Sequence, residues 1–276
     1  MQNMNELYKI GRDFPETEKM PVLFIGHGSP MNAIEENEFV KGFRDIVKTI
    51  PVPNAILCVS AHWFINGTKV TVMENPKTIH DFGGFPPQLY EVQYPAKGDP
   101  GLAVHTRKLL GSYYVELDEK WGLDHGAWTV LKHMYPKANV PVVQLSIDYT
   151  KPASWHFELA RNLKSLRNKG VLIIGSGNII HNLRLVDFQN FYKDNYGYDW
   201  AIEAKETINK YITAGNFEPL INYDKSSKAV HLAVPTPDHF LPLIYTLALQ
   251  QKGEDIVLFN DKLVAGSLSM TSMKIS

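Results

Sequence analysis

Apolar residues along this chain gather into short, β-branched runs at 21–26, 54–60, 69–73, 140–147 and 171–175. Runs of that length and composition predict buried strands. Between them the period changes. Trp155, Leu159, Leu163 and Leu166 recur at three- and four-residue spacing and predict one helix over 152–169, with Thr150 just ahead of it. Segments 199–214 and 239–250 also read as helices, and 267–275 as a late strand. Strands alternating with helices predict an α/β fold: a single layered domain with a central, mostly parallel (mixed) sheet flanked by helices. No repeat, low-complexity tract or linker divides the chain. Residues 1–20 read as a polar extension ahead of one domain over 21–276.

Two stretches follow neither period. One, 75–98, carries Asp81-Phe82-Gly83-Gly84-Phe85-Pro86-Pro87, and 223–238 is similarly irregular. Long loops inside a compact domain are usually lids or binding loops. Phe82, Phe85, Tyr90 and Tyr94 favour a packed loop over a disordered one.

Composition removes several function classes. The 276 residues are 44% hydrophobic and 21% charged, with a formal charge of −1 and both signs interspersed. That is no electrostatic footprint for nucleic acid or an anionic membrane. No apolar stretch reaches the roughly 18 to 20 residues of a membrane span. The polar N-terminus lacks the apolar core of a secretory signal, so the cytoplasm is the default compartment. A single cysteine, Cys58, lies in a predicted strand and excludes an internal disulfide and every Cys-based zinc motif. Oligomeric state leaves no mark.

The concentrated chemistry is histidine. The run at 21–26 ends at His27, the run at 54–60 leads to His62, and the run at 171–175 leads through Gly175-Ser176-Gly177-Asn178 to His181. Ligands in open α/β sheets bind at the carboxyl ends of strands, and neutral imidazole is the commonest metal ligand. A metal centre is the first expectation. Gly26 and Gly28 leave room for a sharp turn at His27, and Trp63 walls the pocket behind His62. His239, in Pro235-Thr236-Pro237-Asp238-His239, reads as a helix start capped by Asp238 or Thr236. His125, in Asp124-His125-Gly126, has Asp124 beside it to orient or charge it. For both, a site role and a structural role fit equally well. His80 and His231 fall in the irregular stretches, where they could face a substrate. His105, His133 and His156 sit on predicted helices with surface or packing roles.

Rival signatures are incomplete. Gly26-His27-Gly28 and Gly175-Ser176-Gly177 follow strands as a dinucleotide fingerprint does, but Met31 and Ile180 stand where its third glycine belongs. There is no Walker A sequence, nucleophile elbow or His-Glu-x-x-His.

In chain order, Gly26-His27-Gly28-Ser29-Pro30, Ser60-Ala61-His62-Trp63, His80-Asp81-Phe82-Gly83-Gly84-Phe85, Asp124-His125-Gly126, Gly177-Asn178-Ile179-Ile180-His181-Asn182-Leu183 and Pro235-Thr236-Pro237-Asp238-His239 resemble the LigB-type class III extradiol ring-cleavage dioxygenases. The resemblance covers roughly residues 20–275 and is nearest to the DOPA-cleaving branch of bacteria and plants. It implies one metal at the carboxyl edge of the sheet, with His27 and His62 as ligands and His239 as the further histidine of this branch. His181 falls at a position that is a ligand in zinc-bound members and the acid/base in ring-cleaving relatives. His125 matches a histidine near the substrate. Fe(II), O2 and a catechol such as DOPA are then the implied partners, with Zn(II) as the other metal that suits an all-histidine site. Phe82, Phe85 and Trp63 are candidate walls for the ring. Two alternatives stay open: a zinc hydrolase or lyase using metal-bound water, and a metal-binding protein without turnover.

Overall fold

The structure, a computed structural model, describes residues 15–276. Its centre is an eight-stranded sheet in the order β4-β3-β5-β2-β6-β1-β10-β7. The strands are β1 (Val22–Gly26), β2 (Ala55–Ile65), β3 (Thr68–Thr71), β4 (Val115–Asp118), β5 (Val142–Asp148), β6 (Val171–Gly177), β7 (Ile256–Phe259) and β10 (Ser272–Ile275). A two-stranded ribbon joins β8 (Leu263–Val264) to β9 (Leu268–Ser269). The four central strands β5, β2, β6 and β1 run parallel. On one side β3 is antiparallel to β5, and on the other β10 and β7 continue antiparallel. The sheet is therefore mixed and mostly parallel at its core, as the alternation of elements predicts.

All five apolar runs form strands; those at 21–26, 54–60, 140–147 and 171–175 feed both layers of core, while 69–73 adds Val70 and Val72 to one. Successive side chains point to opposite faces. Val22, Phe24, Leu57, Val59 and Ile173 meet the helices Ala153–Arg161, Asp199–Thr213 and Leu241–Leu247 on one face. Leu23, Ile25, Ile56, Cys58 and Ile174 meet the helices Glu38–Val47 and His125–Met134 on the other.

Several expectations need correction. The helix over 152–169 is α-helical only from Ala153 to Arg161, then tightens to a 3-10 segment, Lys164–Lys169, that stops at left-handed Gly170. The helix over 239–250 shrinks to Leu241–Leu247, and neither Asp238 nor Thr236 caps it. The stretch 223–238 is not irregular throughout: Ser227 caps a helix, Lys228–Ala233, which carries His231. The late strand breaks into β9 and β10 around a turn. Residues 1–14 of the polar extension lie outside the described residues, whereas Met20 is buried and its amide donates to the Arg167 carbonyl. No helix among the described residues is long and apolar enough to cross a membrane.

Candidate metal centre

Three parallel strands bring the first candidate ligands to one edge. β1 and β6 pair Gly26 with Gly177, and β2 and β6 pair Ser60 with Ser176. His27 follows at once, and its amide donates to the Gly177 carbonyl at 3.1 Å. His62 lies further along β2, within the register shift between Val59 and Phe64. His181 is held by a bridge to Leu268 and by an amide bond to the Ala233 carbonyl. His239 presses its carbonyl onto Gly177 so closely that a Cβ there would sit 2.2 Å away. Only glycine permits that approach. His125 opens the helix His125–Met134 behind the cap Asp124.

Five imidazoles therefore meet, in two kinds of relation. The ring centroids of His27, His62 and His239 form a near-equilateral triangle with sides of 5.0, 5.3 and 5.0 Å. Imidazoles bound through one nitrogen each to a tetrahedral metal at ~2.0–2.1 Å carry centroids about 5.2 Å apart. His125 and His181 stand differently. His125 lies 3.7 Å from His62, and His181 stacks on His239 at 3.5 Å with 14° between planes. The ligating atoms of His27, His62 and His125 lie within 4.8 Å of one another, and so do those of His181, Asp238 and His239, so these two sets could each hold an ion as well.

Hydrogen bonds fix which nitrogen faces inward. His27 Nδ1 is 3.0 Å from Ser176 Oγ, whose single proton goes to the Gly126 carbonyl at 2.5 Å. Ser176 must then accept, so His27 carries its proton on Nδ1 and a lone pair on Nε2. His239 Nδ1 makes a very short bond to Asp238 Oδ2. His125 Nδ1 donates to Asp81 Oδ2 at 2.9 Å, and His62 Nδ1 stands 3.3 Å from that oxygen. The outward nitrogens of His27, His239 and His125 are hydrogen-bonded, which leaves their Nε2 atoms to converge. His27 Nε2 and His62 Nε2 face each other at 3.2 Å, close to the ~3.3 Å edge of a tetrahedral nitrogen set. Outward hydrogen bonds of this kind are the usual support of a ligating histidine.

Burial keeps His27, His62 and His181 neutral. It drives the His27 and His62 pKa values well down, and the neighbouring imidazoles push them further. His181 falls to about 3 through burial and the adjacent His239. Burial raises the Asp81 carboxyl, but the bonds from His125 outweigh it and hold the group below its usual range. Asp238 likewise ends at about 2, the His239 bond overcoming burial. Neutral rings with free lone pairs are the protonation state that metal binding needs.

The remaining predicted residues divide. Phe82 packs edge-on to His125 at 5.5 Å, and Phe85 contacts Phe82 at 5.3 Å. Trp63 is buried and stacks on Trp121 at 5.7 Å, so it packs with that ring behind the site. His80 bonds the Val92 carbonyl among Phe82, Tyr90 and Trp128, pinning the loop 75–98. His231 bonds the Asp224 carbonyl. His133 caps Asn32, and His156 is wholly buried between Tyr245 and the Asp148 carbonyl, a packing role as expected. Asp124 does not orient His125. Its carboxylate serves Ser60, Gln144 and the helix start. The orienting carboxylate is Asp81, which sequence reasoning missed. Its only signal was an acid between His80 and Phe82 in a motif rich in aromatic residues.

Known proteins resemble this chain along most of its length. Residues 21–264 match the family described as the catalytic LigB subunit of aromatic ring-opening dioxygenase. The chain is 48% identical to an Escherichia coli K12 protein named 4,5-DOPA dioxygenase extradiol, over 93% of this chain and 95% of that one. A Beta vulgaris protein of the same name is 35% identical over 92% and 95% of the two chains. The crystal structure of an uncharacterized Escherichia coli K12 protein superposes with a TM-score of 0.79 at 42% identity, covering 94% of this chain and 100% of that one. The chain belongs to the LigB family of aromatic ring-opening dioxygenases.

Proposed function

We propose that the protein is a metal-dependent extradiol dioxygenase that opens the ring of a catechol such as DOPA with O2. The observation that carries this is the triangle of the His27, His62 and His239 rings, flanked by two further histidines. His27, His62 and His239 would hold the metal, Fe(II) for ring opening, with Zn(II) equally compatible with the donor set. Fe(II) supplies the electron exchange between catechol and O2 that no side chain can carry. A catechol has two hydroxyl protons to lose on binding through both oxygens, and the flanking rings are two acceptors. His125 accepts at Nε2, and Asp81 on its other nitrogen offsets the resulting charge beside the substrate oxygen. His181 takes and returns the second proton. Phe82 and Phe85 wall the aromatic ring. Trp63 falls out of that wall because its partner is Trp121.

The test is anaerobic loading with Fe(II) or Zn(II), then oxygen uptake on adding DOPA or unsubstituted catechol. Iron-dependent uptake with a yellow product is the expected result. Folded, loaded protein that consumes no oxygen with either metal would overturn the assignment. His125→Ala and His181→Ala should each retain metal while turnover falls by about 100-fold or more. Metal loss from either variant would instead make that residue a ligand.

A further inference from the structure

One carboxylate lies behind two histidines of different purpose. Asp81 Oδ2 is 2.9 Å from His125 Nδ1 and 3.3 Å from His62 Nδ1, while Asp81 Oδ1 accepts the His125 backbone N–H at 2.8 Å. The loop bearing Asp81 is tied down independently. Trp128 Nε1 donates to the Ile79 carbonyl, His80 bonds the Val92 carbonyl, the Ile79 amide donates to the Leu123 carbonyl, and the Leu123 amide donates to the Lys77 carbonyl. The carboxylate is thus a fixed post, and the two rings are referenced to it.

We infer that Asp81 is a positioning residue that fixes the tautomer of His125, turning its Nε2 lone pair toward the reaction centre, and that receives the Nδ1 proton of His62 when that ring ligates through Nε2. The inference rests on the proposed metal and substrate roles for its consequences, though not for the His125 tautomer itself. A carboxylate has no proton to give at neutral pH, so His125 Nδ1, bonded to it at 2.9 Å, must carry one. With Nδ1–H fixed, Nε2 of His125 is free to accept a substrate proton. His62 Nε2 lies 3.2 Å from His27 Nε2, so an ion taken up there moves the His62 proton to Nδ1, where the Asp81 carboxylate stands 3.3 Å away. Asp81 never touches the reacting atoms. It acts through the two rings.

Substitution chemistry separates this role from mere packing. Asp81→Asn keeps the shape but has one acceptor and one donor. If its oxygen takes the His125 backbone N–H, its NH2 group faces both Nδ1 atoms and favours the wrong tautomer in each. If it flips, the NH2 opposes the backbone N–H. Asp81→Ala removes the post and lets water accept from either ring. A packing residue would tolerate Asn better than Ala, whereas a residue that sets tautomers should suffer from Asn at least as much.

The first readout uses the full-length, metal-free protein labelled with 15N-histidine. Long-range 1H–15N correlation reports which ring nitrogen of His125 is protonated. It should be Nδ1 in the parent protein, and Asp81→Asn should shift the ring toward Nε2–H. The second is Zn(II) affinity by competition with a chromogenic chelator, expected to weaken about 10- to 100-fold in Asp81→Asn. Nε2–H on His125 of the parent protein, or an Asn variant with the parental tautomer and affinity, would overturn the inference. Neither measurement requires oxygen consumption, so failure of the ring-cleavage assignment would leave it standing or falling by itself.

Discussion

Ser176 shows how much a site residue owes to partners far away in sequence. Its hydroxyl spends its proton on the Gly126 carbonyl and so can only accept from His27, 149 positions away. Ser176→Ala should therefore free His27 to change tautomer and weaken Zn(II) binding about 10-fold in a chelator competition, with little change in fold. His239→Ala should lose far more, since it removes a corner of the triangle. The five site histidines were legible in the sequence, because strands and glycines around them advertise an edge and their motifs resemble a known family. Their supports were not. Ser176 and Asp81 are ordinary residues until the chain folds, and the hydrogen bonds that give them meaning span 44 residues or more.

At the scale of elements, the helix His125–Met134 depends on Asp124. That buried carboxylate caps the helix at Ala127 and also receives Ser60, Gln144 and Trp121. Asp124→Ala forfeits a cap worth about 1 kcal/mol and strands buried donors at about 1–3 kcal/mol. A loss of roughly 2–4 kcal/mol in chemical denaturation is expected, and a loss below ~1 kcal/mol would show that water replaces the carboxylate. The central strands were readable because burial on both faces makes them uniformly apolar. β4 and β7 escaped notice: each is four residues long at a sheet edge, with exposed positions among the apolar ones. The helix over 152–169 was overextended because an i, i+3 repeat continues through its 3-10 end. Spacing alone cannot mark that change of winding.

Across the whole molecule, Glu254 ties distant parts of the chain together. It pairs with buried Arg167 and with Lys19, while Arg167 also donates to the carbonyls of Met20 and Leu249. Burial raises the Glu254 carboxyl, but the bonds from Arg167 and Lys19 prevail and leave it at about 2. A depressed carboxyl contributes stability that is complete above its ordinary pKa near 4.5 and disappears as pH falls toward 2. His156, lowered by burial to about 4, contributes over a higher window: the unfolded chain gains a proton near pH 6.5 that the fold refuses. Melting temperature should thus decline below pH 6.5 and again below pH 4.5. Glu254→Gln should flatten the lower decline while costing about 3–5 kcal/mol at neutral pH by leaving Arg167 uncompensated. An unchanged pH profile in that variant would locate the acid sensitivity elsewhere.

The outward locks on His27 and His239 consist of protein groups alone, and the strands that lead to the site are pinned by an apolar core. Such support lets the scaffold form ahead of any ion. Stripping with a chelator should consequently yield a protein that still melts cooperatively, unlike a zinc finger, whose fold vanishes with its metal. Samples loaded with Fe(II) and with Zn(II) should then share one fold and differ in whether they take up oxygen.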